Sequence, residues 1–235
     1  MNLFFSKQIS KDTTIEILSD TESQHCIKSL RHKVDDRILV SNGKGEIYNA
    51  KIINIEKKQV IYQNLGLNSF NQKSKKIHIA IAPPKNKTRF EWFLEKVTEI
   101  GVDIISPIIC ENSERDSINQ QRCNKILISA MKQSKTGVLP ILNAPVPFQV
   151  MAKNNIEESY IAYCSKHHEI FLKKITKEKG NSKEIILFIG PEGDFSQKEI
   201  NFAKSIGIKP VSLGNSILRT ETAGVVGCTI INLSI

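Results

Sequence analysis

Two short stretches decide how this 235-residue chain is read. They are Phe188-Ile189-Gly190-Pro191-Glu192-Gly193-Asp194-Phe195-Ser196 and Leu213-Gly214-Asn215-Ser216-Ile217-Leu218-Arg219-Thr220-Glu221-Thr222-Ala223-Gly224. Each follows an apolar, β-branched run, Glu184 to Ile189 and Pro210 to Leu213, of the kind that forms a buried parallel strand. Each then leads into a helix start: Ser196 with Glu199 makes a capping box, and Thr220 or Thr222 is placed to cap the last helix. Strand ends that open into helix N-termini gather in a crevice where backbone N–H groups face a ligand. The chemistry is expected there.

Outward from these stretches, everything from Ile77 reads as strands alternating with longer helical periods, the signature of an α/β domain with a mostly parallel sheet. Ile77 to Ile81 is a strand ending at Ala82-Pro83-Pro84. Thr88 is expected to cap a helix with Phe90, Phe93, Leu94, Val97 and Ile100 on one face, and Gly101 stops it. Lys85 and Arg89 flank that strand end and are candidate contacts for RNA or substrate; Glu91, Glu95 and Glu99 fit a solvated face paired at i,i+4. A strand from Asp103 to Ile109, a helix from Asn119 to Ser134, a strand from Ser159 to Tyr163 and a helix from Lys166 to Lys179 follow. In the last helix, Glu221 to Leu233, Gly224 and Gly227 sit among small residues. Interior glycine costs a helix roughly 1 kcal/mol, which points to close approach by a neighbouring backbone or ligand.

Residues 1–70 read as a separate β-rich domain, with the second domain over 77–235. Its strands are Leu3 to Phe5, Thr14 to Leu18, Arg37 to Ser41, Ile47 to Ile55 and Val60 to Leu65. Asn42-Gly43-Lys44-Gly45 forms a hairpin because Asn and Gly tolerate positive φ. One helix, from about Asp20 to Leu30, carries a Ser19/Glu22 capping box. Short strands with one helix predict a small barrel. Residues 67–76, polar and without periodicity, read as a linker.

The formal charge is +9, from 33 basic and 24 acidic residues. Residues 1–76 hold 13 Lys/Arg against 8 Asp/Glu, so the first third carries more than half the excess. Such a surface favours polyanions through counterion release. Five scattered cysteines without a C-x-x-C pair argue against a disulfide framework and a zinc site. His167-His168 lacks acidic or thiol partners at ligand spacing, so no metal is expected. No stretch of eighteen apolar residues occurs and the N-terminus lacks a signal-like apolar run; a cytoplasmic protein without a membrane span is expected. Walker A and G-x-G-x-x-G patterns are absent, which removes the usual nucleotide phosphate cradles.

Gly-Pro-Glu-Gly at 190–193, followed by Leu-Gly-x-x-Ile-Leu-Arg-Thr-Glu-Thr-Ala at 213–223, resembles the RsmE family. Those are SPOUT-class methyltransferases acting on N3 of a uridine in small-subunit (16S) ribosomal RNA. Lys28-Ser29-Leu30-Arg31-His32-Lys33-Val34-Asp35-Asp36, the run from Lys85 through Arg89 to Val102, and Ser113-Glu114-Arg115 are similar to the family as well. The resemblance implies a PUA-like RNA-binding barrel in front of a domain carrying a deep trefoil knot. It implies S-adenosylmethionine at Ile189, Gly190, Pro191, Glu192 and Gly193, and at Leu213, Gly214, Leu218, Arg219, Thr220, Thr222 and Ala223. It further implies RNA contacts at Arg31, His32, Lys33 and Arg37, backbone grips at Lys85, Arg89 and Arg115, and a homodimer. Two departures stand out. Asp194 replaces the glycine usual after Gly-Pro-Glu-Gly, and Lys132-Gln133-Ser134-Lys135-Thr136 replaces Glu-Gln-Ser-x-Arg.

Methylating uridine N3 requires the acceptor in line with the methyl group and a way out for the N3 proton. Arg219 is the candidate for stabilising charge on the uracil oxygens, with a structural ion pair to Glu192 or Glu221 as its alternative. Glu221 or Glu192 is the candidate proton acceptor. N3 lies on the pairing edge, so the target is unpaired or flipped. The rival readings are a non-catalytic RNA-binding protein, and an enzyme of the same class acting on another base or on transfer RNA. Free ribosomal RNA and the assembled small subunit both remain open as the substrate.

Overall fold

The computed structural model describes residues 1–71, 73–154, 158–163, 172 and 183–235. The expected helix from Lys166 to Lys179, His167-His168 and Cys164 lie outside the described residues, Leu172 apart. The chain divides into two compact units, Met1–Gln72 with Ile128–Leu139, and Lys73–Leu127 with Pro140–Ile235.

In the first unit, β1 (Leu3–Phe5), β2 (Ile15–Ile17), β3 (Arg37–Ser41), β4 (Glu46–Glu56) and β5 (Gln59–Phe70) form a sheet in the order β1-β3-β4-β5-β2. Only β1–β3 is parallel. Register shifts at Ile47/Tyr48, Tyr48/Ala50 and Ile52/Asn54 break the long β4–β5 ladder, and such bulges bend and twist a strand pair. The curved sheet closes on Phe4, Ile38, Val40, Tyr48, Ile52 and Tyr62, all buried. Gly43 and Gly45 take positive φ in the β3–β4 hairpin, as the sequence requires.

Three local expectations change. β5 runs on to Phe70, pairing Leu67 with Tyr48 and Phe70 with Glu46, so the first half of the expected linker is strand; a cross-strand partner stabilises residues whose own pattern is featureless. The expected helix from Asp20 splits into α1 (Asp20–Gln24) and a π-helical turn, His25–Ser29. Its capping box is half formed. Ser19 Oγ accepts from the Glu22 N–H at 3.3 Å, but the Glu22 carboxylate is drawn away by the Phe5 N–H at 3.1 Å and Lys132 Nζ at 2.6 Å.

The second unit is built on a sheet ordered β12 (Lys209–Val211), β10 (Ser159–Ala162), β11 (Glu184–Ile189), β6 (Lys76–Ile81), β7 (Ile104–Ile109), β8 (Ile141–Leu142), with β9 (Val146–Pro147) on β7. Every pairing is parallel. β6 and β11 are central and almost wholly buried, hence their unbroken apolar sequences. Helices α2 (Lys87–Ile100), α3 (Gln120–Ser134), α4 (Phe148–Asn154), α5 (Gln197–Ser205) and α6 (Thr220–Asn232) complete the described helices; the second half of α3 groups with the first unit. Although α6 follows the edge strand β12, it packs on the central strands β6 and β11 and on α2. Its glycines permit this. A Cβ on Gly224 would lie 2.5 Å from the Phe93 ring, and one on Gly227 would strike Leu187.

Candidate active site

Parallel pairing aligns the carboxyl ends of β6 and β11, Ile81 opposite Ile189. The Ala82 N–H donates to Ile189 O at 3.0 Å, so the segments beyond both strands leave side by side. Pro83 and Pro84 end β6 because neither has an N–H for the ladder. The Lys85 N–H then donates to Glu192 Oε1 at 3.1 Å, tying the turn after β6 to the Gly-Pro-Glu-Gly loop. Asn86, not Thr88, caps α2: its Oδ1 accepts from the Thr88 N–H at 2.9 Å. Asn is the stronger cap, and with Asn86 as N-cap Thr88 falls inside the first turn.

The loop after β11 is held by its own turn and by a third loop. The Asp194 N–H donates to Pro191 O at 2.9 Å. Asp194 adopts φ +60° and accepts the Phe195 N–H on Oδ1 at 2.7 Å. It thereby occupies the left-handed position where the resembling family has glycine, which short Asp side chains tolerate. Asn112, in the loop after β7, donates to Gly193 O at 3.2 Å and Asp194 O at 3.0 Å. Ser196 and Glu199 form the full capping box of α5. Gly190 serves packing: a Cβ there would sit 3.0 Å from Phe195, so that ring, rather than an approaching ligand, accounts for the glycine. Around Gly214, at φ +151°, a Cβ would meet nothing within 4 Å. Leu213 and Leu218 are half-buried and Ile217 is exposed.

The first turn of α6 completes the group. Arg219 is its N-cap residue and makes no side-chain capping bond. Thr220 and Thr222 lie inside the helix, so neither caps it; Thr220 is buried and Thr222 and Ala223 half-buried. Glu221 is 6% exposed. Its Oε1 lies 3.7 Å from Arg89 Nε, while its Oε2 is buried and, among the described residues, has no hydrogen-bond partner. A carboxylate in the first helical turn is favoured by the helix dipole, but one bare oxygen out of water is costly unless something else meets it. Arg219 itself is exposed and, among the described residues, pairs with neither Glu192 nor Glu221. The ion pair that sequence reasoning offered Arg219 is made by Arg89 instead.

Glu192, the Lys85 backbone, Arg89 and Glu221 therefore connect the two decisive loops through the turn after β6. Lys85 Nζ is paired with Glu114 Oε2 at 2.6 Å, which holds its ammonium pKa above the usual lysine value. Arg115 is half-buried. In the first unit, Arg31, Lys33 and Arg37 are exposed, and Arg31 takes φ +56°. His32 is committed inward, with Nδ1 2.8 Å from Asp36 Oδ2 and its ring edge-on to Phe4. Sequence reading assigned no contact to Asn112 or Glu114 and missed the Arg89–Glu221 pair, because each contact joins segments distant in sequence.

The chain is similar to known RNA methyltransferases. An RNA methyltransferase domain profile matches residues 71–232, and an RNA methyltransferase PUA domain profile matches residues 18–62. Ribosomal RNA small subunit methyltransferase E of Buchnera aphidicola is 32% identical over 90% of this chain and 85% of its own. The crystal structure of a probable rRNA-methyltransferase from Porphyromonas gingivalis superposes with a TM-score of 0.88 at 35% identity, covering 99% and 98% of the two chains. That of a ribosomal RNA small subunit methyltransferase E from Neisseria gonorrhoeae, bound to S-adenosyl methionine, gives 0.86 at 25% identity over 97% and 95%.

Proposed function

The chain belongs to the ribosomal RNA small subunit methyltransferase E family, and from that premise we propose that it methylates N3 of a uridine in small-subunit (16S) ribosomal RNA with S-adenosylmethionine as donor. The observation that carries this is the buried Oε2 of Glu221, unpartnered among the described residues and beside Arg89, four residues on from the Lys85 N–H that holds Glu192. A relative of known structure binds this donor, and the residues here suit it. Gly214 borders open space, and the half-buried Leu213 and Leu218 offer apolar cover for a flat base. On this reading Ile189 to Gly193, with Leu213, Gly214, Leu218, Arg219, Thr220, Thr222 and Ala223, hold the donor, which supplies an electron-poor methyl group.

The protein's own part is to position the uridine and to move its proton. Glu221 is the better acceptor for the N3 proton, because one oxygen of Glu192 already receives the Lys85 N–H. Arg89 orients Glu221 from the side of Oε1. Arg219, exposed and unpaired with either carboxylate, is available to the uracil oxygens as negative charge develops on them. The first unit and the basic groups Arg31, Lys33, Arg89 and Arg115 bind flanking RNA, either free or in the assembled subunit. The same reading has the 190–196 and 212–219 loops threaded in a trefoil knot, which fits an α6 that returns from the sheet edge to its centre. It also has two copies pairing as a homodimer in the cytoplasm. No helix among the described residues is long and apolar enough to cross a membrane.

Calorimetric titration of the full chain with S-adenosylmethionine tests the reading. Saturable binding that weakens on Arg219→Ala supports it. RNA affinity without donor affinity would leave a non-catalytic RNA-binding protein in its place.

A further inference from the structure

The first unit contains a cavity of about 460 Å³ that the methyl-transfer reading does not use. Its walls include Lys7, Gln8, Asn42, Lys44, Glu46 and Phe70. Phe70, the last residue of β5, is 54% exposed. In the β4–β5 register it stands directly opposite Glu46. The Glu46 carboxylate is fixed by neutral donors: Tyr48 Oη donates to Oε2 at 2.9 Å, and Asn42 Nδ2 donates to the same oxygen. Burial, with Glu46 second, pushes the Tyr48 phenol up to about 12, so it stays protonated and keeps donating. Asn42 is locked in turn, its Oδ1 accepting the Lys44 N–H at 2.8 Å. Glu46 Oε1 takes part in none of these bonds. Among the described residues neither Lys7 nor Lys44 has a carboxylate partner, so two ammonium groups border the cavity without being neutralised.

An exposed aromatic ring, a preset carboxylate oxygen and two unpaired cations form a combined stacking, hydrogen-bonding and phosphate-binding set. Base stacking on aromatic side chains, with basic residues tracking the backbone, is how single strands are held. We propose that this cavity is a second nucleotide site, distinct from the methylation site, which takes one unpaired nucleotide of the RNA substrate. The base lies on Phe70, an N–H on its pairing edge meets Glu46 Oε1, and the flanking phosphates meet Lys7 and Lys44. Guanine suits it best, because its pairing edge offers adjacent N1–H and N2–H donors. Uracil offers one N–H between two carbonyl oxygens that the carboxylate repels. The proposal rests on the chain being an RNA-modifying enzyme.

The test is fluorescence anisotropy on the full chain with labelled seven-nucleotide uridine strands, with or without one central guanosine. The guanosine strand is expected to bind at least about fivefold tighter. Phe70→Leu should weaken both strands about tenfold, while Phe70→Tyr, which keeps a ring, stays near wild type. Glu46→Gln should remove or reverse the guanosine preference. Lys7→Ala with Lys44→Ala should reduce the slope of log affinity against log salt by about 1.4. Wild-type affinity in Phe70→Leu, or an unchanged guanosine preference in Glu46→Gln, would overturn the site. Donor titration of the same variants separates the two failures. If they bind S-adenosylmethionine normally while RNA binding is unmoved, only the second site falls. If the wild type takes no donor, the enzymatic reading falls.

Discussion

At the scale of single residues, the site depends on side chains held in positions they would not choose alone. Asp194 is one. Its left-handed backbone costs a non-glycine residue roughly 1–2 kcal/mol, offset here by the 2.7 Å bond from the Phe195 N–H to its own carboxylate. Asp194→Ala keeps the strain and loses the bond, and should destabilise by about 1 kcal/mol in a denaturant titration. Asp194→Gly removes both and should fall close to wild type. The sequence displayed the departure from glycine; that the turn survives it emerges only from the φ angle and the bond. Glu221→Gln tests the proton acceptor. It should lower kcat by about 10²-fold or more with donor affinity nearly unchanged, read by single-turnover methyl transfer. His78 sets a pH dependence. It is 3% exposed, with Nδ1 2.6 Å from Glu184 Oε1 and Nε2 2.8 Å from Ser106 Oγ. Burial holds its pKa below the ordinary histidine value, against the opposing pull of Glu184. The folded state thus refuses a proton that the unfolded chain accepts near pH 6.5. Stability from this group is complete above about that pH and is lost as pH falls further. Thermal melts should show a smaller drop between pH 7 and 5 in His78→Gln than in wild type.

At the scale of elements, α6 carries the clearest trade. Alanine is the better helix former by about 1 kcal/mol, yet at Gly224 its Cβ would meet the rigid Phe93 ring and Ile81. Overpacking of about 1–3 kcal/mol wins there. At Gly227 the obstacle is the tip of a flexible Leu187 side chain, so Gly227→Ala should cost less than Gly224→Ala in paired denaturation curves. Lys132, on α3, answers a question left by the sequence. Where the resembling family has an acid, this chain places a lysine 2.6 Å from Glu22, with the two side chains 17% and 8% exposed. Lys132→Glu would set two carboxylates against each other and should cost about 2–3 kcal/mol, somewhat below a fully buried pair, with recovery on adding Glu22→Lys. Apolar runs, the 196–199 capping box and the Gly101 stop were legible because they are local. The π-helical turn and the length of β5 were not, because neighbouring elements decide them; the choice of Asn86 over Thr88 as cap was a local signal misread.

At the scale of the whole molecule, the grouping of Ile128–Leu139 with the first unit had no sequence signal. It rests on pairs such as Ser41 Oγ to Gly137 O and Gly45 N to Gly137 O, both 2.9 Å, that join residues far apart in the chain. The parallel sheet, in contrast, followed from the alternation of strand and helix. The loop after β11 and the start of α6 both meet the segment that follows β6, at Lys85 and Arg89, and the proposed function makes them one site for methyl transfer to RNA. The most direct measurement incubates the protein with labelled S-adenosylmethionine and small ribosomal subunits from cells lacking the gene, or with the RNA extracted from them, and analyses the nucleosides. Label in 3-methyluridine at a single position, lost with Arg219→Ala, is expected. Label in another base, or none with either substrate, would contradict it.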